Sequence, residues 1–324
     1  MAAGWSTAVR AAAPANPKRS KRQLVEALTG VHNFMVTTFH SNYELDADGL
    51  RRNIADHARN ATKNMTIVIC GGLGELFTIS VEEQKALVEA AVAGAKGKLP
   101  VVAGVGGSYK NAIMMAQNAE RAGADAVLIF AYPLACRDSD GQYQYLHDVA
   151  RAVDIGVVAY PCGENGVRIE TLKRLAKLPN MVGFKDSSGS VEVGQALGSL
   201  VGEGLLWIAE GESHAETIFP VGGRAYTTAV ATFVPEACRR FWQAGVSGDL
   251  ARMKHIRESR IDPVVKLRSV KPGYGISGIK VALEALGRAG GPVRPPGTQV
   301  EQHDRAKIAE IALKYAEKSI RNER

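Results

Sequence analysis

The sequence predicts an α/β protein, specifically a (β/α)8 TIM barrel with a C-terminal helical extension. From about residue 30 onward, short β-branched segments alternate with longer segments whose apolar residues recur at three-to-four spacing, and this pair is repeated eight times. An open doubly wound sheet also alternates, but it usually has a Gly-x-Gly-x-x-Gly turn after its first strand. This chain has none there, so the closed barrel is favoured.

The eight predicted strands are short and rich in β-branched residues. They are Phe34–Thr38, Met65–Cys70, Pro100–Val105, Ala126–Phe130, Gly156–Tyr160, Met181–Lys185, Leu205–Glu210 and Ala225–Thr228. The Gly-rich segment Gly104–Gly107 follows the third strand, but its spacing is incomplete for a phosphate-binding loop. We interpret it as a tight turn between strand and helix.

Helical periodicity fills the intervals between these strands. The predicted helices are Asp46–Ala61, Val81–Ala95, Tyr109–Ala122, Gln142–Val153, Ile169–Leu178, Val191–Val201, Ser213–Val221 and Pro235–Ala244. Ser80 followed by Glu83 is typical of a capping box at the start of a helix. Three further helical segments, about 249–260, 274–287 and 301–320, follow the eighth repeat.

These patterns divide the chain into three parts. Residues 1–27 are predicted to be a basic N-terminal extension, residues 28–248 the barrel, and residues 249–324 a helical region packed on the barrel. The first 20 residues are rich in alanine, basic and free of acids, somewhat like an organelle transit peptide. They lack the apolar core of a secretory signal, and we interpret them as an extension of the barrel.

Composition and charge argue against a nucleic-acid-binding or membrane-spanning protein. The net charge of +7 is concentrated at both ends of the chain, and no basic stripe is interleaved with aromatic residues, which argues against a nucleic-acid partner. No apolar run approaches the roughly 18 residues that cross a membrane. The cysteines lack C-x-x-C spacing, which favours free thiols and a cytoplasmic location; they are Cys70, Cys136, Cys162 and Cys238.

Lys185 is the most informative residue, because it is a lone cation at the end of an apolar strand. Partial desolvation there would lower the pKa of its amine and make it a nucleophile at neutral pH. The alternative is a lysine that points into solvent. In a TIM barrel the carboxyl ends of all strands meet at one face, where Tyr160, the Gly71–Glu75 loop and the pair Thr227–Thr228 also end their strands.

Three of these motifs together resemble a known family. Gly71–Glu75 has the form Gly-x-x-Gly-Glu, Tyr160 closes an apolar strand, and Gly183–Asp186 follows it by some 25 residues. The chain is similar over about residues 28–300 to the dihydrodipicolinate synthase / N-acetylneuraminate lyase family. These proteins are class I Schiff-base lyases that act on 2-oxo acids.

The resemblance implies specific roles. Lys185 would form an imine with the substrate, and Tyr160 would shuttle protons. The residues expected to bind the substrate carboxylate, through backbone amides or hydroxyls, are Gly72, Leu73, Gly74, Thr227 and Thr228. No metal or organic cofactor is expected, the substrate would be a small anionic 2-oxo acid, and a homo-oligomer, either tetramer or dimer, is implied.

Within the family the sequence is most similar to the 5-dehydro-4-deoxyglucarate dehydratases, in stretches such as Gly104–Ser108 and Ala229–Pro235. The synthases use a second tyrosine from a neighbouring subunit, and the matching position here is Leu134. The expected reaction is therefore dehydration and decarboxylation of 5-dehydro-4-deoxyglucarate to 2,5-dioxopentanoate.

Two departures from the family pattern keep other activities open. Leu73 stands where the family has a threonine that binds the substrate carboxylate, and Tyr160 is followed by Pro161-Cys162 where the dehydratases have asparagine. The alternatives are a pyruvate-dependent aldolase or dihydrodipicolinate synthase-like condensing enzyme and, more remotely, an inactive 2-oxo-acid-binding barrel. Glu75 is expected to orient its own loop, and Asp186 is expected to point away from the pocket.

Overall fold

The computed structural model describes residues 19–59, 63–130, 139–160, 169–188, 198–202 and 204–317. Eight parallel strands form a closed barrel in chain order. They are β1 (Gly30–Phe34), β2 (Met65–Ile69), β3 (Val101–Val105), β4 (Ala126–Phe130), β5 (Gly156–Tyr160), β6 (Met181–Asp186), β7 (Leu206–Glu210) and β8 (Ala225–Thr228). The barrel closes where β8 pairs with β1, with Asn33 opposite Thr228. The predicted (β/α)8 TIM barrel is confirmed.

Helices surround the barrel and continue beyond it. They are α1 (Lys21–Leu28), α2 (Ala47–Arg59), α3 (Val81–Ala95), α4 (Tyr109–Ala122), α5 (Ser139–Arg151), α6 (Ile169–Ala176), α7 (Gly211–Ile218), α8 (Pro235–Val246), α9 (Leu250–Ile256), α10 (Asp262–Val265), α11 (Ser277–Ala285) and α12 (Gln302–Tyr315). Residues 198–202 are helical as well. The rest of the helix predicted at Val191–Val201 lies outside the described residues.

The prediction for the first strand is wrong. It placed the strand at Phe34–Thr38, whereas β1 spans Gly30–Phe34. Two polar residues, His32 and Asn33, obscured the strand, yet both are buried in it because each has a hydrogen-bond partner. The His32 ring donates to a backbone carbonyl at the end of α1, 2.7 Å away, and the Thr232 hydroxyl donates to the Asn33 side chain at 3.1 Å.

Helix α1 was not predicted, and it closes the bottom of the barrel. It begins with a capping box in which the Ser20 hydroxyl accepts from the Gln23 amide and the Gln23 side chain accepts from the Ser20 amide. Its Leu24 and Leu28 side chains are buried among residues of the barrel interior, such as Val182. Because only Thr29 separates the helix from β1, the helix lies at the amino-terminal ends of the strands.

The C-terminal helices pack on one another, and the segment after the last of them contacts α8. Helix α12 buries Ile308 and Ala312, and beyond its end the Glu317 carboxylate accepts hydrogen bonds from the first backbone amides of α8 at 3.1 and 2.9 Å. The helix predicted at 249–260 is instead α9 followed by a π-helical turn, Arg257–Ile261. The division of the chain at residues 28 and 249 stays a prediction.

In the part of the chain that the structure describes, no helix is both long enough and apolar enough to cross a bilayer.

Candidate active site

Lys185 lies inside the carboxyl end of the barrel, near the end of β6, and only 5% of its side chain is exposed. Its Nζ lies 3.6 Å from the centre of the Tyr160 ring and 5.3 Å from that of Phe34. It also lies 3.2 Å from Oε1 of Glu210. Aromatic faces and a carboxylate attract a cation, and the Lys185 amine lies against all three of these side chains.

Tyr160 ends β5, the strand that pairs with β6, and its ring lies beside Lys185 inside the barrel. Its ring packs edge-to-face on Phe130, with the ring centres 5.1 Å apart, and its hydroxyl donates to Oε2 of Glu210 at 3.0 Å. The structure therefore brings together the two residues that the sequence predicted as catalytic.

Glu210 is a site residue that the sequence analysis did not single out. It ends β7, and its two carboxylate oxygens contact Lys185 and Tyr160 separately. The signal was present, because Glu210 closes a predicted strand in the same way as Lys185 and Tyr160. Its contacts with Lys185 and Tyr160 could not be predicted, because they depend on how β5, β6 and β7 are aligned with one another.

These residues open into a pocket of about 420 Å³. The predicted residues that line the pocket with Lys185 and Tyr160 are Gly72, Leu73, Thr227 and Thr228. Gly74 is not among its lining residues: its carbonyl accepts a hydrogen bond from the Thr37 hydroxyl at 2.7 Å, and a side chain there would lie 2.7 Å from the Cys70 nitrogen. At Gly72 no atom lies within 4 Å of where a Cβ would stand, so this backbone is open.

Two further charged residues line the pocket, and the sequence analysis missed both. Arg268 comes from the C-terminal region; burial lowers the pKa of its guanidinium, and the charge of Glu212 opposes that shift. Burial raises the pKa of the Glu212 carboxyl, against a hydrogen bond with Thr228. The pocket thus contains two cationic and two acidic side chains, with Arg268 on the wall that the C-terminal region provides.

Glu75 has a structural role, as expected, but its partner was not predicted. Its side chain is buried, and its carboxylate pairs with the buried Lys280 of α11 at 2.5 Å and accepts from the backbone amide of Arg294 at 3.0 Å. Burial lowers the pKa of the Lys280 amine, and the Glu75 charge opposes that shift. Glu75 therefore joins the loop after β2 to the C-terminal region rather than stabilising its own loop alone.

Asp186 points away from Lys185, as strand alternation predicts. Its carboxylate accepts hydrogen bonds from the Ser188 amide at 2.8 Å, the Ser188 hydroxyl at 2.6 Å and the indole of Trp207 at 3.3 Å. Leu134, Pro161 and Cys162, which bear on the expected chemistry, lie outside the described residues.

One group of side chains within the described residues has the spacing of metal ligands. Glu301, His303 and Asp304 offer ligand atoms that all lie within 4.8 Å of one another, on or near the surface. All three already have partners. Glu301 pairs with Lys271, Asp304 accepts from the hydroxyl of Tyr274, and the His303 ring lies 3.6 Å from a carboxylate oxygen of each of these two acids. None of the three lines the pocket around Lys185.

Comparison with known proteins finds relatives over most of the chain. Two relatives, each named a probable 5-dehydro-4-deoxyglucarate dehydratase, come from Oceanobacillus iheyensis (30% identical over 295 residues, 89% of this chain and 95% of the relative) and Rhizobium meliloti (34% over 272 residues, 83% and 89%). A third, from Streptomyces avermitilis, is named probable 5-dehydro-4-deoxyglucarate dehydratase 2 and is 34% identical over 285 residues, 87% of this chain and 86% of the relative.

A solved structure with the same fold and a family model also match the chain. The crystal structure of dihydrodipicolinate synthase from Bacillus clausii superimposes with a TM-score of 0.80 at 26% identity, covering 90% of this chain and 99% of that one. The model of the dihydrodipicolinate synthetase family matches residues 27–315. The predicted resemblance is confirmed, and the chain belongs to the dihydrodipicolinate synthetase family.

Proposed function

We propose that the protein is a Schiff-base-forming lyase that dehydrates and decarboxylates 5-dehydro-4-deoxyglucarate to 2,5-dioxopentanoate. The observation that supports this most strongly is the placement of Lys185, with its Nζ 3.6 Å from the ring centre of Tyr160, in a pocket at the carboxyl end of the barrel. The names of the three curated relatives point to the same substrate.

In the proposed reaction the amine of Lys185 attacks the ketone carbon of the substrate, and the ketone oxygen leaves as water. The protonated imine withdraws electrons, so the adjacent C–H becomes acidic. Loss of that proton expels the β-hydroxyl as a second water. The far carboxylate then leaves as carbon dioxide, and its bonding electrons pass through the conjugated carbons to the imine nitrogen. Protonation of two chain carbons and loss of the enol proton give the aldehyde, and hydrolysis of the imine consumes one water and releases 2,5-dioxopentanoate. The imine is the electron sink, so this route requires no metal or organic cofactor.

The carboxylate beside the ketone would bind at the loop after β2 and at the end of β8. Leu73 has no side-chain donor, so the backbone amides around Gly72 and Leu73 are left to hold this group. The Thr227 hydroxyl accepts a hydrogen bond from the Gly211 amide at 3.3 Å, which leaves its own hydrogen for another acceptor. This arrangement suits a small carboxylate next to Lys185.

Arg268 favours a substrate with two carboxylates over pyruvate alone. It is a second cation in the same pocket, and its Nε donates to the Gly275 carbonyl at 2.9 Å, which fixes the guanidinium. A guanidinium binds carboxylates well. Arg268 would therefore hold the carboxylate at the far end of the substrate.

The proposal extends to the state of the protein in the cell. We propose a cytoplasmic homo-oligomer, either tetramer or dimer. The buried free thiols of Cys70 and Cys238 are consistent with a reducing compartment, and family membership supports association.

The test is borohydride trapping with pyruvate and, in parallel, with 5-dehydro-4-deoxyglucarate, followed by peptide mass mapping and measurement of carbon dioxide. We expect a reduced adduct on the Lys185 peptide with both compounds and carbon dioxide with the sugar acid only. Lys185→Ala should abolish both signals, whereas Lys254→Ala, at an exposed lysine, should leave them unchanged.

Other results would overturn the proposal. An adduct without carbon dioxide release from the sugar acid would point to a pyruvate-dependent aldolase or a condensing enzyme. Turnover by Lys185→Ala near the wild-type rate would remove the imine mechanism. No adduct with either compound would indicate an inactive barrel that only binds 2-oxo acids.

A further inference from the structure

Glu210 contacts both residues that the proposed chemistry uses. Its Oε1 lies 3.2 Å from the Lys185 nitrogen, and its Oε2 accepts from the Tyr160 hydroxyl at 3.0 Å. These are separate oxygens of one carboxylate, so the group can exchange a proton with each residue without moving. About 40% of the Glu210 side chain is exposed, which leaves the carboxylate accessible from the pocket.

Imine formation requires protons to move from the Lys185 nitrogen to the ketone oxygen, and Glu210 is placed to carry them. The attacking amine must be neutral, yet an ion pair with a carboxylate favours the ammonium form of Lys185. The overall change, from an ammonium and a ketone to a protonated imine and water, moves two protons from nitrogen to oxygen. A group that reaches both the nitrogen and a hydroxyl donor is the group that such a transfer needs.

We propose that Glu210 is a catalytic residue that carries protons between Lys185 and Tyr160. This inference rests on the proposed imine chemistry and adds to it a third reacting group. It assigns to an acidic side chain at the end of β7 the step that makes the lysine nucleophilic.

The proton transfers occur in the following order, and every proton is accounted for. Glu210 takes one proton from the ammonium of Lys185, and the free amine pair forms the C–N bond while the C=O electrons move to oxygen. That oxygen takes a proton from Tyr160, which is reprotonated by Glu210. Glu210 then takes the second proton from nitrogen and returns it through Tyr160 to the hydroxyl, the C–O bond breaks, and water leaves. Glu210 and Tyr160 end in their starting states, and the imine keeps the third proton.

The role of a proton acceptor and that of a simple counter-ion predict opposite results for Glu210→Gln. Glutamine keeps the shape and the hydrogen-bonding capacity of the side chain but cannot take up a proton. If Glu210 transfers protons, imine formation with pyruvate should be about 10²-fold slower, at the lower end of general acid–base contributions. If Glu210 only holds the lysine charged, its removal favours the neutral amine, and imine formation should be equally fast or faster.

The experiment is a time course of borohydride-quenched adduct on Lys185, with saturating pyruvate at pH 7, for wild type, Glu210→Gln and Glu210→Asp. Glu258→Gln is the matched control, because it removes one exposed carboxylate that pairs with Lys254 away from the pocket. The unfolding midpoint of each variant shows that it is folded. Glu210→Asp keeps a carboxylate and should lie between wild type and Glu210→Gln.

A second readout separates proton transfer from positioning. Because the two groups act in one relay, Glu210→Gln combined with Tyr160→Phe should cost much less than the product of the two single effects. Multiplicative effects, or Glu210→Gln as fast as wild type, would overturn the role of Glu210 while leaving the imine intact. No adduct in wild type would instead overturn the proposed function.

Discussion

Lys185 shows how far local sequence determines the chemistry of one residue. Its position at the end of an apolar strand predicts a desolvated amine, and the structure buries it accordingly. The sequence did not reveal that a carboxylate also lies against it. Lys185 is paired with Ile208 of β7, two residues before Glu210 on the same strand. That contact depends on the registers of β5, β6 and β7, which residue types alone do not specify.

Arg268 allows a test of the proposed substrate class. Replacing it by methionine removes the cation proposed to bind the far carboxylate, and charge-assisted hydrogen bonds contribute about 1.5–3 kcal/mol. We expect Arg268→Met to raise KM for 5-dehydro-4-deoxyglucarate about 10- to 100-fold. Imine formation with pyruvate, which lacks a second carboxylate, should not change.

Two variants complete the Arg268 experiment. Arg268→Lys keeps the charge but not the planar fork, so its KM should lie between those of wild type and Arg268→Met. Arg252→Met changes an exposed arginine of the same C-terminal region and should leave KM unaltered. An unchanged KM in Arg268→Met would place the far carboxylate elsewhere in the pocket.

At the scale of elements, periodicity and turn chemistry predicted most of the barrel. Seven strands lie within one residue of their predicted bounds, and α3 and α4 match theirs. The exception is β1, which contains two buried polar residues. The partner of His32 is a carbonyl of α1, and the partner of Asn33 is Thr232, 199 residues further along the chain. The His32 acceptor lies only four residues away, but it belongs to α1, a helix that was itself not predicted.

Helix α1 had a sequence signal that its basic composition concealed. Ser20 and Gln23 have capping-box spacing, and Leu24 and Leu28 follow at helical spacing. Because a run of lysine and arginine lies beside them, the sequence alone predicts a basic extension over residues 1–27. In the structure the two leucines of this helix pack against the interior of the barrel.

That packing predicts a loss of stability from a single change in α1. Leu28 is fully buried, and Leu28→Ala should destabilise the protein by about 2–5 kcal/mol through the lost contacts and the cavity left behind. Glu26→Ala, on the exposed side of the same helix, should have little effect. Chemical denaturation of the two variants measures the difference. Equal midpoints for Leu28→Ala and wild type would mean that α1 does not close the barrel.

On the scale of the whole molecule, the pocket is formed by the barrel and the C-terminal region together, and the sequence did not predict that these two regions meet there. Barrel strands supply Lys185, Tyr160 and Glu210, whereas Arg268 comes from the C-terminal region. The buried Glu75–Lys280 pair attaches that region to the loop after β2. The carboxyl ends of barrel strands meet in any TIM barrel, so the first group was predictable in part. The position of Arg268 depends on how the last helices pack.

Two buried histidines contribute to the response of the whole molecule to acid. Burial lowers the pKa of both His32 and His57 from 6.5 to about 4. The folded state therefore binds fewer protons than the unfolded chain between these values, and the free energy of unfolding falls as the pH falls from 6.5 to about 4. Each histidine should account for about 3 kcal/mol of this loss, at about 1.4 kcal/mol per pKa unit.

The test compares the unfolding midpoint at pH 7 and at pH 4.5 for wild type and His57→Phe. His57 lies in α2 with its Nε2 2.9 Å from the Met65 sulfur, and phenylalanine fills the same apolar surroundings without a group to protonate. The variant should lose clearly less stability on acidification than wild type. His255→Phe, at an exposed histidine of α9, should lose as much as wild type. If His57→Phe and wild type respond identically, other groups must govern the acid sensitivity of the barrel.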